Sequence, residues 1–546
     1  MLQDLYIGAD VGSTAVRVGL MDATGALIVS TTRPIDHKVS SIDHRFVTQS
    51  SEQILTALKK CIDELTLPQG VRSCVKGLAI VATCSVVVTR RSGDNLNPYP
   101  ADYGFQNADQ NVIFWMDTRP HKETKEMNQV LSGHRALGYM GGCFVEEMAL
   151  PKVKYIVDNA PADDVADLVF FDLHDYLSFM FAETGIDIIE LSNTSNPVAI
   201  DGEVKGWSAE LLDRIGLSQL SKNNFAGIGC LERHKSSILS PIPYAGRPIG
   251  YTCEGIPICQ GVIDSYGGWL GSCGREVEGT LTMVAGTSTC FIVGHKIPKP
   301  VKGIWGPFNG FFPDLLVTEG GQATTGKLIE HLFETHPAYP ELKTLGPNVF
   351  TSLESLITRL EEESSCNIHV LSRHMFLFGE LSGNRTPYAD ASMRGAFFGE
   401  STDITIKDLV LKYVCILECL AFQTKQVLSV LDGYGIAKIR ICGSQAKNSR
   451  LVTLLSRVTG LPVEVSNSNP DLSGVKGSAY LAYSGANNVP LVEVLKMFND
   501  ETTVCYGDGI DDPKLTALLN TKYEIMLDIA ERQLKYKKMI DSCHCT

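Results

Sequence analysis

The stretch "GADVGSTAVRVGLMD" (Gly8–Asp22) is the part of the chain that decides the fold. An apolar strand runs into a turn of glycine and hydroxyl residues, and a second apolar strand follows. The same pattern returns about half the chain later in "TLTMVAGTSTCFIVGH" (Thr280–His295). Two such hairpins predict two related domains, because a repeated structural unit shows as self-similarity in sequence. A chance likeness between short turns is the alternative, and the hairpins alone do not decide between the two.

The remaining sequence indicates an α/β protein of two domains. "SSEQILTALKKCIDEL" is predicted as a helix with one apolar face, and Ser50 with Gln53 fits a capping box. "VKGLAIVAT", "SVVVTR" and "NVIFWMD" are predicted strands, and "IAKIRICGSQAKNSRLVTLLSRVTG" reads as strand, glycine turn and helix. Such alternation is typical of α/β folds. Since single cores stop growing at about 250–300 residues, a chain of 546 residues predicts two domains.

Composition narrows the function classes. The net charge of −14 disfavours nucleic acid or an anionic membrane as the main partner. No apolar run is long enough for a transmembrane helix, and "MLQDLYIGAD" shows no secretory pattern. The 16 cysteines contain no C-x-x-C pair, which indicates reduced thiols and a cytoplasmic protein. The amphipathic segment "DIAERQLKYKKMIDS" near the C-terminus is expected to pack on its own chain.

The stretch "EGGQATTGKLIEH" (Glu319–His331) tests for a P-loop. Gly321, Gly326 and Lys327 have the spacing of G-x-x-x-x-G-K-[ST]. The motif requires a hydroxyl residue after the lysine to bind Mg²⁺, and this chain has Leu328 there. A P-loop is therefore not expected, and Lys327 is predicted to be an ordinary helix residue.

The first turn has the residue types of a phosphate site. Gly12 allows a sharp turn, Ser13 and Thr14 supply hydroxyl donors, and Arg17 supplies a positive charge. A carboxylate such as Asp10, at the end of a buried strand, can hold Mg²⁺ through water. An ordinary hairpin with a polar turn is the alternative for this segment by itself.

Asp264, in "GVIDSYGGWLG" (Gly261–Gly271), is a candidate general base. A carboxylate at this place could accept the proton of an attacking hydroxyl. A helix N-cap aspartate is the alternative, and position alone favours it.

Six segments in one order resemble the FGGY family of carbohydrate kinases, and its pentulose-kinase, ribulokinase-like branch in particular. They are "GADVGSTAVRVGLMD", "NVIFWMDTRP", "GVIDSYGGWLG", "MVAGTSTCFIV", "LSGNRTPYADASMRG" and "ICGSQAKNSRLVTLLSRVTGLPVEV". The resemblance covers about Tyr6 to Gly485. It implies two domains of the ribonuclease-H/actin-like ATPase fold, placed at 1–270 and 271–546, with an interdomain active-site cleft. It also implies the substrates ATP and a ketopentose, with D-ribulose as the best candidate. A homodimer is one arrangement that it allows.

The same resemblance implies roles for individual residues. Asp10 is expected to bind Mg²⁺, and Asp264 is expected to deprotonate the sugar hydroxyl. The sugar is expected to contact Ala82, Thr83, Asp264 and Glu319. ATP is expected at two phosphate turns and an adenosine segment, formed by Gly12, Ser13, Thr14, Arg17, Gly286, Thr287, Ser288, Gly321, Gly443, Ser444 and Asn448.

Four positions depart from the family pattern. Val81 stands where related pentulose kinases carry aspartate, and Val198 falls where ribulokinases place a sugar-pocket lysine, with Lys205 as a nearby substitute. Ser444 replaces a glycine and Thr118 replaces a histidine. The ATP machinery therefore resembles the family more closely than the sugar pocket does.

Three interpretations remain open from the sequence. The pocket is retuned for another pentulose or polyol, or the chain is a catalytically impaired nucleotide-binding scaffold or sensor, or it is an actin- or Hsp70-like ATPase without a sugar substrate. The retained Asp10, Arg17, Asp264, Thr287 and Glu319 favour an active kinase.

Overall fold

A computed structural model describes residues 4–66, 70–93, 95–182, 208–222, 227, 245–312, 314–498, 500–507 and 512–543. Val198 and Lys205, the two positions considered for the sugar-pocket lysine, lie outside these residues. The chain divides into two compact units. Unit 1 comprises 1–278, 292–319 and 471–501, and unit 2 comprises 279–291, 320–470 and 502–546.

The strands within the described residues have the following bounds. They are β1 (Leu5–Val11), β2 (Ala15–Asp22), β3 (Leu27–Pro34), β4 (Lys38–Val39), β5 (Val47–Gln49), β6 (Val75–Ala82), β7 (Val86–Ser92), β8 (Asn95–Pro98), β9 (Val112–Ile113), β10 (Leu168–Asp172), β11 (Pro248–Tyr251), β12 (Pro257–Cys259), β13 (Thr280–Ala285), β14 (Thr289–His295), β15 (Trp305–Phe312), β16 (Leu315–Gln322), β17 (Phe376–Phe378), β18 (Ala396–Phe398), β19 (Lys438–Cys442), β20 (Val463–Ser466) and β21 (Thr502–Cys505).

The α-helices within the same residues are numbered in chain order. They are α1 (Ser51–Thr66), α2 (His121–Val130), α3 (Arg135–Tyr139), α4 (Ala149–Asn159), α5 (Ala162–Val165), α6 (Leu173–Phe181), α7 (Ala209–Arg214), α8 (Asp264–Leu270), α9 (Gly326–Thr335), α10 (Tyr339–Thr344), α11 (Val349–Ser364), α12 (Ile368–Leu371), α13 (Ile406–Val430), α14 (Ser449–Thr459), α15 (Ser473–Asn487), α16 (Leu491–Met497) and α17 (Pro513–Asp541). Across the described chain, these helices are either too short or too polar to cross a lipid bilayer.

The main sheet of unit 1 carries the first predicted hairpin. Its six strands lie in the order β11, β12, β6, β1, β2, β3. β1 pairs antiparallel with β2 and parallel with β6, and β6 pairs parallel with β12. Helices α1 and α6 contact one set of these strands, and α15 packs along β1 and β6. β1 therefore lies in the interior of the sheet, and Asp10 is located near its carboxyl end.

A second sheet in unit 1 lies in the order β10, β7, β9, β5, β4, with β8 paired to β7. The apolar side chains on one face of this sheet and those of helix α4 belong to one core cluster. In the predicted strand "NVIFWMD", only Val112 and Ile113 form a strand. Phe114–Asp117 form a loop that continues from it.

Unit 2 repeats the strand and turn pattern of the first hairpin. β13 pairs parallel with β19, β19 pairs parallel with β20, and β20 pairs antiparallel with β21. The glycine turn after β19 leads into α14, as the sequence predicted. The 25-residue helix α13 is buried along most of its length and contacts α14 and α9.

The helix predicted from "SSEQILTALKKCIDEL" is α1, and half of its capping box forms. The Gln53 backbone N–H donates to Ser50 Oγ at 3.2 Å. The Gln53 side chain donates to Asp36 Oδ2 at 2.9 Å instead of returning to Ser50. In the predicted apolar face, Ile62 is partly exposed, and the other five side chains are buried: Ile54, Leu55, Leu58, Cys61 and Leu65.

The C-terminal helix α17 packs on its own chain through its first part. In the predicted segment Asp528–Ser542, Ile529 and Ala530 are buried, whereas Tyr536, Met539 and Ile540 are exposed, so the prediction holds only for the start of that segment. Lys522, on its buried face, forms an ion pair with Glu418 of α13 and donates to the Ser372 carbonyl at 3.1 Å. Glu418 also contacts His369 Nδ1 at 2.7 Å. Removing one partner of such a buried ion pair is strongly destabilising, so this network anchors the helix within unit 2.

Candidate active site

The first predicted phosphate turn is the connection between β1 and β2 in unit 1. The Gly12 N–H donates to the Ala15 carbonyl at 3.0 Å, which closes the turn. Thr14 is exposed, and Ser13 is partly exposed. Ser13 Oγ accepts a hydrogen bond from Trp115 Nε1 at 2.9 Å. The turn therefore presents two hydroxyl groups to solvent, and the hydroxyl of Ser13 is held in place by Trp115.

Asp10 lies beside this turn with incomplete charge compensation. It is opposite Arg17 in the antiparallel register, and Arg17 Nη1 lies 3.7 Å from Asp10 Oδ2. Burial raises the pKa of Asp10 to about 6, although the Arg17 charge acts to lower it. The backbone of Gly474 comes so close that a Cβ there would lie 2.6 Å from Asp10 Oδ2. A second positive charge near Asp10 would thus be favourable.

Asp264 is the first residue of helix α8, and its carboxylate is influenced by the negative charges of Asp10 and Glu319. The Ser265 N–H donates to Asp264 Oδ1 at 2.8 Å. Burial raises the pKa of Asp264 to about 7, and the neighbouring charges of Asp10 and then Glu319 add to the rise. The N-cap position is Ile263, so Asp264 is not the capping residue that the alternative interpretation assumed. The structure thus brings Asp10, Asp264 and Glu319 into one electrostatic environment within unit 1.

Glycines allow the helix of Asp264 to approach helix α15 closely. A Cβ at Gly477 would lie 1.9 Å from the Gly267 carbonyl oxygen, and a Cβ at Gly271 would lie 2.0 Å from the Ser473 carbonyl oxygen. Neither contact could accommodate a side chain without displacement of backbone. This close crossing fixes the helix of Asp264 against the helix whose first turn touches Asp10.

Of the predicted sugar residues, Ala82 is the last residue of β6 and Thr83 follows it, at the same edge of the sheet. The Thr83 N–H donates to the Val11 carbonyl at 3.0 Å, and the Ala82 N–H donates to the Val262 carbonyl at 3.3 Å. Ala82 therefore connects to the segment that leads directly into Asp264. Thr83 is buried, and its hydroxyl contacts Ser85 Oγ at 3.0 Å. Glu319 is buried in β16.

Val81, the first departure from the family pattern, is a packing residue. It is fully buried, and a Cβ at Gly267 of α8 would lie 2.8 Å from its Cγ2. The side chain of residue 81 therefore faces helix α8. An aspartate there would place a charge against the helix that carries Asp264.

The second predicted phosphate turn, Gly286–Ser288, joins β13 and β14 and is held by neutral groups of unit 2. The Gly286 N–H donates to the Ser288 carbonyl at 2.9 Å. Gln445 Nε2 donates to the Gly286 carbonyl at 2.8 Å and to Thr325 Oγ1 at 2.9 Å. The turn is partly exposed, and a Cβ at Gly286 would meet no atom within 4 Å. Open space therefore lies beside Gly286.

The segment that resembles a P-loop holds this second turn through backbone hydrogen bonds. The N–H groups of Thr325 and Lys327 donate to the Thr287 carbonyl at 3.1 Å, and the Gly326 N–H donates to the Gly286 carbonyl at 3.1 Å. These donors are used within the protein and do not form a phosphate cradle. Lys327 Nζ lies 2.8 Å from Glu330 of the same helix. The prediction that Lys327 lies in a helix is confirmed, and its expected lack of a role at phosphate stays a prediction.

The positions of the residues predicted to contact adenosine are fixed by close backbone packing at Gly443 and by helix capping at Asn448. Gly443 has φ +83°, and a Cβ there would lie 2.4 Å from the Ala285 carbonyl oxygen, so glycine is required. Ser444 is exposed. Asn448 caps α14 by accepting from the Leu451 N–H at 3.1 Å and donates to Tyr413 at 2.8 Å. The Asn448 side chain is therefore already engaged in the fold.

Gly321 differs from the other predicted ATP residues because it is buried. Its N–H donates to Thr386 Oγ1 at 3.0 Å. A Cβ at Gly321 would lie 3.2 Å from Arg385 Cδ. The fold gives this glycine a close-packing role, and its expected proximity to nucleotide stays a prediction.

Two sequence models of one enzyme family match this chain. The N-terminal domain of the FGGY family of carbohydrate kinases matches residues 5–226, and its C-terminal domain matches residues 281–486. The chain belongs to the FGGY family of carbohydrate kinases. It is a sugar kinase of a family that uses ATP. The boundary predicted after residue 270 lies between the two matched segments.

Several relatives of this FGGY kinase extend over most of its length. Protein MPA43 of Saccharomyces cerevisiae is 35% identical over 98% of this chain and 97% of its own. D-ribulokinase YDR109C of the same yeast is 35% identical over 88% of this chain and 72% of its own. A human FGGY carbohydrate kinase domain-containing protein is 28% identical over 97% of both chains.

Solved structures of sugar kinases share the fold. Gluconate kinase from Lactobacillus acidophilus aligns with a TM-score of 0.74 at 16% identity, covering 97% of this chain and 98% of its own. Xylulose kinase from Rhodospirillum rubrum aligns with a TM-score of 0.72 at 16% identity, covering 97% and 99%. The predicted α/β two-domain kinase fold is confirmed, and the family match decides against an actin- or Hsp70-like ATPase.

Sequence reasoning missed three side chains and one glycine that support the predicted FGGY site. They are Trp115, Thr325, Gln445 and Gly474. Trp115 had a visible signal, because "NVIFWMDTRP" was one of the six family segments, yet no role was assigned to its tryptophan. Gln445 lies inside "CGSQAKN" between two residues that were predicted to contact adenosine.

Proposed function

We propose that this FGGY kinase transfers the γ-phosphoryl group of ATP to a hydroxyl of a ketopentose, with conversion of D-ribulose to D-ribulose 5-phosphate as the best candidate. The observation that carries the proposal is Asp264, a carboxylate at a helix start whose pKa burial raises to about 7. The choice of sugar is supported by the 35% identity to a protein named D-ribulokinase.

Asp264 has the properties of a general base for this reaction. A base is most effective when its pKa lies near the working pH, because it is then both ionised and able to accept a proton. Asp10 and Glu319 contribute to the raised pKa, so the negative charge near Asp264 makes its protonated form easier to reach. Asp264 accepts the sugar hydroxyl proton as the oxygen attacks phosphorus. The new O–P bond forms while the bond to the β-phosphate oxygen breaks and ADP leaves.

The residues around Asp10 fit a bound Mg²⁺. Carboxylate oxygens are preferred ligands of this ion. Asp10 is buried and its pKa is raised by that burial, so a nearby cation would stabilise its ionised form. When bound with ATP, Mg²⁺ would neutralise charge on the phosphates. Gly474 keeps the Asp10 carboxylate clear of side-chain atoms on that face.

The two turns are proposed to bind the phosphates by different means. Arg17 supplies a positive charge and Ser13 a hydroxyl donor on the first turn. On the second turn, the open space beside Gly286 admits a phosphate close to the backbone. Phosphoryl transfer depends mainly on such positioning and charge stabilisation.

The test is ADP release by the purified protein with Mg-ATP against a sugar panel. The panel holds D-ribulose, L-ribulose, D-xylulose, L-xylulose, ribitol, L-arabinitol, glycerol and a blank without sugar. Asp264→Asn is the catalytic control, and its ATP affinity is measured separately. We expect one or two ketopentoses to stimulate release, and the Asn variant to bind ATP without turnover.

Three results would contradict the proposal. Stimulation by a polyol alone would move the assignment to another substrate class. ATP binding without stimulation by any compound would favour the catalytically impaired nucleotide-binding scaffold. Full turnover by the Asn variant would remove Asp264 from the role of base.

A further inference from the structure

Trp115 connects the first phosphate turn to the strand end that carries the predicted sugar residues. Its indole Nε1 donates to Ser13 Oγ at 2.9 Å. Its backbone N–H donates to Ser85 Oγ at 3.1 Å, and Ser85 Oγ contacts Thr83 Oγ1 at 3.0 Å. The tryptophan is only 5% exposed, so these hydrogen bonds form away from bulk water.

Lys152 holds the backbone of this tryptophan through its carbonyl group. The lysine is fully buried in α4, and its Nζ donates to the Trp115 carbonyl at 2.8 Å and to the Phe114 carbonyl at 2.9 Å. A buried ammonium group costs free energy unless it is hydrogen-bonded. Burial lowers the pKa of Lys152 to about 8. Because the Lys152 ammonium group is bonded to two successive carbonyls, it restricts the conformation of the loop that carries Trp115.

The direction of the hydrogen bond determines what Ser13 can do. The indole N–H is a donor only, whereas a serine hydroxyl has one donor hydrogen and two acceptor lone pairs. Ser13 must therefore act as the acceptor toward Trp115, and its own hydrogen is directed elsewhere. On a partly exposed turn beside Arg17, an anion is the acceptor that this hydrogen suits best.

We propose that Trp115 is a positioning residue that orients the Ser13 hydroxyl as a donor to the transferred phosphate, with Lys152 holding Trp115 in place. The proposal rests on the proposed function, because it requires ATP at the first turn. It assigns Trp115 a role that acts through its hydrogen bond to Ser13.

The test is a double-mutant cycle of Trp115→Phe and Ser13→Ala. Each single variant is expected to lower kcat/KM for ATP by about tenfold, which is the size of one hydrogen bond to a charged group. The double variant is expected to match Ser13→Ala within about twofold, because Trp115 then has nothing to orient. The KM for the sugar is expected to stay within about twofold. Effects that multiply in the double variant would overturn the proposal.

A binding measurement separates failure of this proposal from failure of the proposed function. The ratio of ATP to ADP affinity reports contacts to the terminal phosphate and does not need a sugar substrate. Trp115→Phe and Ser13→Ala are expected to reduce this ratio equally. An unchanged ratio in Trp115→Phe with a reduced ratio in Ser13→Ala would overturn the positioning role even if no sugar is turned over.

Two controls address folding. Tyr99→Phe removes a buried aromatic donor in the same unit, its 2.9 Å hydrogen bond to Asp164, and is expected to leave the ATP to ADP ratio unchanged. If Trp115→Phe fails to fold, a benzothiophene analogue of tryptophan at position 115 replaces only the N–H by sulfur. The same reduction in the ratio is expected with the analogue, and an unaltered ratio would overturn the proposal.

Discussion

The two predicted phosphate turns have the same sequence pattern and different surroundings. The turn after β1 lies beside Asp10 and Arg17, within the electrostatic environment of Asp264. The turn after β13 is held by backbone N–H groups and by the neutral Gln445 side chain. The first turn therefore carries the titratable chemistry, and the second provides a rigid neutral surface.

This difference indicates how two turns of similar sequence could contribute differently to phosphate binding. Charged groups near the reacting phosphate respond to pH and to bound cations. A turn fixed by backbone hydrogen bonds is insensitive to both and depends on shape. Substitutions at the first turn should therefore act through charge and pH, and substitutions at the second through steric fit.

The largest effect is expected from Asp264→Asn. General-base catalysis contributes about 10²- to 10⁴-fold, so kcat should fall in that range while ATP still binds. Steady-state kinetics and ATP titration measure the two quantities.

In the parent enzyme, pH provides the matching test. Asp264 must be ionised to accept a proton, so kcat/KM for the sugar should fall about tenfold for each step of one in pH below about pH 7 and level off above it. A profile that stays flat down to pH 5 would show that this carboxyl is not the base.

The next effect concerns stability of the unliganded protein. Burial raises the folded-state pKa of Asp10 to about 6 and of Asp264 to about 7, both from 3.8. The folded state therefore holds these protons more tightly than the unfolded chain does. The stability that results is fully present below about pH 4 and is lost as pH rises through 6 and 7. Because a tenfold difference in proton affinity corresponds to about 1.4 kcal/mol, the total loss amounts to several kcal/mol at most.

Chemical unfolding of the parent and of Asp264→Asn at pH 5 and pH 8 measures this loss. The variant is expected to be more stable than the parent at pH 8, and the difference should shrink at pH 5. A variant that is less stable at pH 8 would contradict the pKa assignment.

The local parts of this fold could be predicted because their causes are local. The turn at Gly12, the helix that begins at Ser51 and the strand, turn and helix around Gly443 all follow from short patterns of apolar, glycine and capping residues. The Gly443 position also requires a positive φ, which glycine adopts without strain.

The missing parts of the site depend on residues far apart in sequence. Trp115 donates to a serine 102 residues away, and Gln445 donates to a glycine carbonyl 159 residues away. The raised pKa of Asp264 has the same origin, since it needs burial together with Asp10 and Glu319. No local pattern specifies such partners, so sequence reasoning named the candidate site residues and missed most of the residues that support them.

A methyl group at Gly286 should separate binding from folding at the second turn. An added Cβ meets no protein atom within 4 Å, so Gly286→Ala should leave stability unchanged or raise it by about 0.4–1 kcal/mol. The same methyl occupies the space proposed for phosphate, so ATP affinity should fall by about tenfold. Calorimetric titration and thermal unfolding measure the two effects.

Gly138→Ala is the matched control for that substitution. Its added Cβ would lie 3.6 Å from Pro300, an ordinary contact, so a similar stability change without loss of ATP affinity is expected. Unchanged ATP affinity in Gly286→Ala would show that the open space beside the turn does not receive phosphate.

The smallest effect on the KM for ATP is expected from Lys327→Met. This variant tests whether the second turn binds ATP without a positive charge. Lys327 Nζ pairs with Glu330 at 2.8 Å and lies 3.9 Å from Glu334, both on its own helix and both exposed. Exposed pairs of this kind contribute about 0.3–0.5 kcal/mol. The KM for ATP should therefore stay within about twofold of the parent value.

Arg17→Met, which removes a positive charge of the same kind from the first turn, should raise the KM for ATP by about tenfold. It should also raise the pKa of Asp10 further, because Arg17 is the charge that lowers it. Equal losses in the two variants would mean that Lys327 reaches the phosphates after all. The second turn would then bind ATP through charge as the first does, and the contrast between a charged and a neutral turn would fail.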